Sequence, residues 1–389
     1  MVLRDVRKAN VRGKKVLVRV DYNIAVDAHG RLRDVSRIAA TLPTLRWLVR
    51  HGATIIIISH RGRPTKATVK YSLKPMVAPL RRLLKKKIYW LDAPIFSAQL
   101  SAAIRGLPVG AVALLENVRF DAGEATNSVR LAKRLASFGD ILVNDAFSDS
   151  HRAHASIVGV ARYRPAYAGL QVQAEVTALS ALRHHPARPY VAVLGGGKIS
   201  TKLRLVNTLL RQADHVLLGG ALANTVLQAE GLAIGRSLSE PKMIAAARGL
   251  SVRNKHLEIP CDVVVADQPT ASAHRRIRPA GRVGRRERIL DIGPDTIDMF
   301  SRILSTARTI VWNGPMGFYE VPAFAKGTEN IARTVARSRA ASYVGGGETI
   351  DALRRLKLTN RMTWCSTGGG AMLEFLEGKH LPGLVAVQR

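Results

Sequence analysis

Cysteine is almost missing from this chain: only Cys261 and Cys365 occur in 389 residues, and they lie far apart. That pattern excludes a disulfide framework and a cysteine-based zinc site. Long apolar runs are missing too, since none reaches the ~18 residues that span a bilayer. The stretch from Met1 to Lys15 is rich in arginine and lysine and has no apolar signal core, so a cytoplasmic protein without membrane contact is expected. Aromatic residues are few, at 5%, and acidic residues number 28 against 60 basic ones, for a net charge of +32. Two readings of that charge stay open. A field of this sign favours phosphorylated metabolites, nucleic acid or an acidic surface; alternatively, it is a compositional bias spread over solvated faces.

With 47% hydrophobic residues, a chain of this length has enough apolar material for two cores. The stretch that organises the second half is Gly195-Gly196-Gly197-Lys198-Ile199-Ser200-Thr201-Lys202. An apolar run, Tyr190 to Leu194, precedes it as a buried strand. Apolar positions at helical spacing (Leu203, Val206, Leu209, Leu210) follow it. Glycine admits close backbone approach, and a helix start offers unpaired N–H groups to an anion. The stretch is neither a Walker A loop nor a complete G-x-G-x-x-G fingerprint. Four more strands end the same way, in Gly219-Gly220, Gly314 to Gly317, Gly345-Gly346-Gly347-Glu348-Thr349 and Gly368-Gly369-Gly370. One such turn is often mere packing; five on one sheet edge describe a bed for a polyphosphate, and nucleotide binding is the favoured reading.

The first half follows the same strand–turn logic with basic residues. Lys15 to Val20 leads to Asp21-Tyr22-Asn23, and Thr54 to Ile58 leads to His60-Arg61-Gly62-Arg63. Ala111 to Leu115 leads to Arg119, and Ile141 to Val143 leads to Asn144-Asp145 and then Arg152. Asp34 can cap a helix that carries Arg37 in its first turn. Strands alternating with helices predict an α/β fold with mostly parallel sheets flanked by helices. In such sheets ligands sit beyond the carboxyl ends of the strands. His60, Arg63, Arg119 and Arg152 would then converge on one anion basin, with Arg37 nearby. Between the halves, a helix from Leu170 to Leu182 is expected to connect two Rossmann-like domains, with hinge potential at its ends.

These motifs together resemble the phosphoglycerate kinase family. The similarity is carried by Val18 to Asn23, Ser59 to Pro64, Leu115 to Phe120, His151 to Ser156, Trp312 to Pro315 and Ser366 to Gly370. It runs from about Asp5 to Leu381-Pro382-Gly383. The resemblance implies a hinge-bending kinase, a monomer, that interconverts 3-phosphoglycerate and 1,3-bisphosphoglycerate with ATP and ADP in glycolysis or gluconeogenesis. It implies substrate contacts from Asp21, Tyr22, Asn23, Arg37, His60, Arg61, Gly62, Arg63, Arg119 and Arg152. The nucleotide would be held by Lys202, Glu320, Gly346, Gly347, Glu348 and Thr349, with Mg2+ on Glu348. Catalytic stabilisation would come from Arg37, Lys198, Lys202, Gly369 and Gly370.

The domain division implied is 1–168 for the 3-phosphoglycerate domain, 169–184 for the connecting helix and 185–370 for the nucleotide domain. Residues 371–389 would return to the N-terminal domain. The chain departs from the family pattern at Arg61, where a small or apolar residue is usual, at Thr201, and at Glu348, where the family uses aspartate for the metal. Glu348 and the net charge favour an alternative: a kinase-like homologue with weakened catalysis that acts as a polyanion-binding protein. The intact basin, Lys198 and Lys202 favour the enzyme. Weak, sequence-independent nucleic-acid contact is expected from the cluster around Arg81 to Lys87 and from the seven arginines between Arg275 and Arg288.

Overall fold

A computed structural model describes residues 1–27, 29–32, 34–250 and 254–389. These fall into two compact units: Met1–Thr177 together with His380–Arg389, and Ala178–Lys379. The first of the two dividing points lies inside the helix Leu170–His184, the second between Lys379 and His380.

The first unit is built on six strands: β1 (Lys15–Arg19), β2 (Thr54–Ile58), β3 (Ile88–Leu91), β4 (Val112–Leu115), β5 (Ile141–Asn144) and β6 (Ala166–Ala168). They pair in the order β3-β4-β2-β1-β5-β6, every neighbouring pair parallel. Parallel sheets are covered on both faces, which is why β2 is five apolar or β-branched residues, all of them buried. Side chains alternate across the sheet. Val16, Val18, Ile55, Ile57, Val112 and Leu114 form one face of the core with Ile38, Leu45 and Leu48 from the helix Ser36–Arg50. Val35 occupies that helix's cap position. Asp34, one residue earlier, accepts a hydrogen bond from the Ser36 N–H (3.0 Å) and another from its hydroxyl. Near the C-terminus, the Gly383 N–H donates to the Ser150 carbonyl (2.8 Å), and the Gly383 carbonyl accepts from Asn144 Nδ2 (3.0 Å). A Cβ on Gly383 would press on Ser150 Cα at 2.8 Å, so this docking needs glycine.

The second unit holds β7 (Tyr190–Leu194), β8 (His215–Leu218), β9 (Leu257–Glu258), β10 (Asp262–Ala266), β11 (Arg276–Pro279), β12 (Arg288–Ile292), β13 (Thr309–Asn313), β14 (Ala341–Gly345) and β15 (Trp364–Cys365). Six of these form a parallel sheet in the order β15-β14-β13-β7-β8-β9. The other three form a separate antiparallel sheet, β11-β10-β12, which the sequence pattern did not suggest. Arginines mask it: the edge strand β11 exposes Arg276, while Arg276 and Arg278 pair with Glu287 at 3.6 and 3.0 Å.

Candidate active site

In the first unit, β1, β2, β4 and β5 are consecutive neighbours and parallel, so the loops that follow them share one sheet edge. The centre of that edge is a residue the motif reading passed over, Asp149. One of its carboxylate oxygens lies 3.1 Å from Arg19 Nη2 and 3.2 Å from His60 Nδ1; the other is 3.7 Å from Arg119 Nη2. Burial alone would raise its pKa, but the charges of His60, Arg19 and Arg119 outweigh burial and hold it well below the usual carboxylate range. Arg19 is fully buried, and its Nε donates to Ser156 Oγ (2.8 Å). That hydroxyl donates in turn to Glu124 Oε1 (2.6 Å), itself fully buried. Arg19, Glu124 and Asp149 thus brace His60 and Arg119 from behind. His154, behind the same residues, has its pKa pushed down to about 4, first by burial and then by the Arg119 charge.

The other residues expected at the basin divide into two groups. Asp21 accepts hydrogen bonds from Arg37 Nη1 and from the Ser148 hydroxyl on one oxygen, and from the Asn23 N–H (3.0 Å) on the other. Asn23 Oδ1 accepts from the Gly62 N–H (2.9 Å), and the Gly62 carbonyl accepts from Arg119 Nη1 (2.9 Å). Gly62 sits at φ +64°, where a Cβ would run into the Tyr71 ring, so only glycine lets this turn close. Arg152, half-buried, donates to His151 Nε2 (3.1 Å), and its charge is felt by Arg119 and His154. Arg63 is exposed on the loop of Gly62, after β2.

Two side chains point elsewhere. Tyr22 is fully buried with its hydroxyl 2.9 Å from Thr41 Oγ1, which leaves only its backbone for a ligand. Arg61 donates to the carbonyls of Ile24 (3.2 Å) and Ser72 (3.0 Å), and so staples two loops together. Asp21, His60 and Asp149 bring one potential ligand atom each within 4.8 Å of one another. Arg19, Arg37 and Arg119 already supply the positive charge there, so the cluster suits an anion held by guanidinium groups.

In the second unit, β15, β14, β13, β7 and β8 are consecutive neighbours, so all five glycine turns share one carboxyl edge. The glycines do two different things. A Cβ on Gly195 would collide with the Pro315 carbonyl, and one on Gly314 with the Gly195 carbonyl, so these turns interlock. At Gly197 and Gly347 a Cβ would meet nothing within 4 Å, which leaves the backbone open to a ligand. Trp312, buried in β13, pins the central turn by donating from Nε1 to the Gly314 carbonyl (2.8 Å). Thr349 is buried and its hydroxyl accepts from the Gly314 N–H (2.7 Å).

Two helices begin at this edge, Gly347–Arg355 capped by Gly346 and Gly369–Leu376 capped by Gly368, with the unpaired N–H groups of a first turn. Lys202 is buried and donates from Nζ to the carbonyls of Gly195 (2.6 Å) and Asn313 (3.1 Å). Burial pushes its pKa down to about 8, and the Glu348 charge resists that fall. Glu348 is exposed in the first helical turn, and its carboxylate lies 4.0 Å from where a Gly196 Cβ would stand. Lys198 is exposed on a loop tied down by Ser200, whose N–H (2.8 Å) and hydroxyl (2.6 Å) both donate to Glu240, another residue without a motif signal. Glu320 is exposed beside Tyr319, whose hydroxyl reaches Asp351 at 3.4 Å.

Guanidinium groups gathered for an acidic anion in one unit, and a lysine-bearing glycine bed in the other, are the equipment of a two-domain α/β phosphotransferase. A family profile described as phosphoglycerate kinase matches residues 6–379. The phosphoglycerate kinase of Roseiflexus castenholzii is 43% identical over 394 residues, covering 100% of this chain and 99% of that one. That of Coprothermobacter proteolyticus is 44% identical over 390 residues, covering 99% and 98%. Among solved structures, the phosphoglycerate kinase from Coxiella burnetii superposes with a TM-score of 0.86 at 39% identity. The one from Pyrococcus horikoshii gives 0.88 at 33%; in both cases 99% of this chain and 98% of the other are covered. The chain belongs to the phosphoglycerate kinase family. Its reaction is reversible phosphoryl transfer between 1,3-bisphosphoglycerate with ADP and 3-phosphoglycerate with ATP, a step of glycolysis and gluconeogenesis. Nothing in these likenesses favours a polyanion-binding homologue. Among the described residues, no helix is long and apolar enough to cross a membrane.

Proposed function

We propose that 3-phosphoglycerate is held in the first unit by Asp21, Asn23, His60, Arg63, Arg119 and Arg152, with Tyr22 and Gly62 contributing backbone and Arg61 holding the loop. The observation that carries this is the brace behind the basin: buried Asp149 and Glu124 pair with Arg19, and Asp149 also with His60 and Arg119. Arg152 is the simplest test, because among the described residues its side chain hydrogen-bonds to one other side chain, that of its neighbour His151. Charge-assisted hydrogen bonds contribute about 1.5–3 kcal/mol, so Arg152→Ala is expected to weaken 3-phosphoglycerate binding by about tenfold or more. Calorimetric titration measures this, and an unchanged dissociation constant would remove Arg152 from the site.

In the transfer from ATP, a carboxylate oxygen of 3-phosphoglycerate attacks the γ-phosphorus in line with the departing ADP. In our reading Lys202, the Gly346 to Thr349 turn and Glu320 hold the nucleotide, Glu320 near the ribose. Arg37 and Lys198 neutralise the equatorial oxygens of the moving group. The N–H groups of Gly369 and Gly370 donate to it from a helix start, where no reorganisation is required. Magnesium, when bound with the nucleotide, supplies charge neutralisation on the phosphate oxygens. Its fit rests on Glu348, an exposed carboxylate beside the Gly196 turn; among the described residues no three-ligand metal cluster surrounds it. One carboxylate with phosphate oxygens and waters is an ordinary magnesium environment. Glutamate is longer than aspartate by one C–C bond, about 1.5 Å, and magnesium tolerates misplacement poorly. Glu348→Asp is therefore expected to raise turnover, by up to about 10²-fold, and to lower the magnesium needed for half-maximal rate. Steady-state kinetics with magnesium varied decide it; an unchanged or reduced rate means this turn has adapted to glutamate.

The working state proposed is a cytoplasmic monomer, as the resemblance to the family implies. The net charge of +32 adds a second, weaker property: sequence-independent contact with nucleic acid. Affinity for a random oligonucleotide should fall steeply as salt rises, because counterion release drives such binding. Salt-insensitive or sequence-dependent binding would refute an electrostatic origin.

A further inference from the structure

A cavity of about 840 Å³ opens beyond the ends of β3 and β4 in the first unit, and the reaction makes no use of it. Its walls are apolar and aromatic: Trp90, Leu91, Ile95, Phe96, Leu115 and Phe120. Protein interiors are close-packed, so a space of this size persists only if its walls are held apart. Here they are. One wall, the loop after β3, is gripped from outside by Arg134, which donates to the carbonyls of Ile95 (2.7 Å) and Ser97 (2.7 Å), while Arg130 stacks on Phe96 at 4.1 Å. The opposite wall is held by Glu116, which accepts from the Ser72 hydroxyl (2.6 Å) and the Leu73 N–H (2.8 Å). Asn117 Nδ2 adds donations to the carbonyls of Arg61 (2.7 Å) and Tyr71 (3.0 Å).

Three features define what would fill it. Trp90 Nε1 and Thr68 Oγ1 are buried at the wall without a hydrogen-bond partner, and an indole N–H can only donate, so an acceptor is called for. Val69 lines the cavity yet is 91% exposed, an apolar lip with nothing to cover. The charged side chains lining the cavity are Lys74 against Asp92, Glu116 and Asp121, a local acidic excess in a chain of net charge +32. Anionic metabolites, which the rest of the molecule attracts, are disfavoured there. We propose that this cavity is a binding site for a cationic aromatic small molecule with a carbonyl acceptor, its ring among Trp90, Phe96 and Phe120 and its ammonium toward Asp92 and Asp121. Size, apolar lining and a few polar groups are those of an ordinary small-molecule site.

Tryptophanamide supplies ring, carbonyl and ammonium together; N-acetyltryptophan keeps the ring but exchanges the ammonium for a carboxylate. The indole N–H signals of the four tryptophans report binding by two-dimensional 15N NMR, with Trp90 identified through Trp90→Phe. Tryptophanamide is expected to shift the Trp90 signal saturably, with a dissociation constant below ~1 mM, and N-acetyltryptophan to leave it in place. The Asp92→Asn/Asp121→Asn pair should weaken tryptophanamide by about threefold to tenfold, the range for two partly exposed charges. Ala93→Trp, which fills the cavity, should abolish the shift while turnover is retained, Ala93 lying outside both half-sites. Failure of tryptophanamide to bind, equal binding of the anionic probe, or a shift centred on another tryptophan would each overturn the proposal.

Discussion

Arg37→Ala is expected to lower turnover by roughly 10³-fold or more, the scale of a transition-state arginine in phosphoryl transfer. Nucleotide affinity should stay nearly intact. Arg37 is one-third exposed in the first turn of its helix, and one of its N–H groups is spent on Asp21. Among the described residues Asp21 is the one carboxylate it pairs with, so the guanidinium keeps further donors for a ligand. Loss of the Asp21 contact is a competing explanation for any defect, and it makes a different prediction. Asp21 keeps the Ser148 hydroxyl and the Asn23 N–H, so an effect routed through Asp21 would raise KM for 3-phosphoglycerate and spare turnover. An effect confined to the transition state lowers turnover and leaves ground-state binding. Arg37→Lys should also be severely impaired, because an ammonium lacks the planar fork. Retention of more than about a tenth of wild-type turnover in Arg37→Ala would remove Arg37 from the chemistry.

The second large effect is expected at Lys202. Its ammonium is committed to two main-chain carbonyls, so that among the described residues one N–H is left for a phosphate oxygen. Lys202→Met keeps the volume and removes the charge, and losing one preorganised donor costs about 10²–10³ in turnover. The pH dependence has a definite sign. With a pKa of about 8 in the free enzyme, Lys202 is charged below that value and neutral above it. kcat/KM for the nucleotide should therefore fall as pH rises past about 8, and Lys202→Met should lack that limb. Stability moves the other way. The folded pKa lies below the ordinary value of 10.5, so between about 8 and 10.5 the unfolded chain binds the extra proton. Wild type should gain stability relative to Lys202→Met as pH rises across that window, measured by denaturant midpoints; a wild type that loses stability relative to the variant over the same range would contradict the burial of a charged lysine here.

The sequence made the sheets legible wherever burial is two-sided. Thr54 to Ile58 and Tyr190 to Leu194 occupy the strands their apolar runs predict. The glycine turns were legible for a related reason, since the close approach of Gly195 and Gly314 excludes every other residue. Hidden residues were those whose role exists only in three dimensions. Arg19 meets Ser156 across 137 positions, and Ser200 meets Glu240 across 40. One signal for Arg19 was present: a charge closing an otherwise apolar strand must find a buried partner. The antiparallel sheet stayed hidden because Arg276 and Arg278 give β11 the appearance of a solvated charge run. Tyr22 and Arg61 show the converse, where the side chains of residues inside the motifs bond to Thr41 and to loop carbonyls, which no motif could indicate.

The most direct test of the whole is ATP formation by the purified protein from 1,3-bisphosphoglycerate, ADP and magnesium, coupled to an ATP-consuming reporter. Turnover that saturates in both substrates, requires the divalent cation and is lost in Arg37→Ala and Lys202→Met is the expected result. A wild-type protein that binds 3-phosphoglycerate and ADP yet forms no ATP above the uncatalysed rate would contradict it.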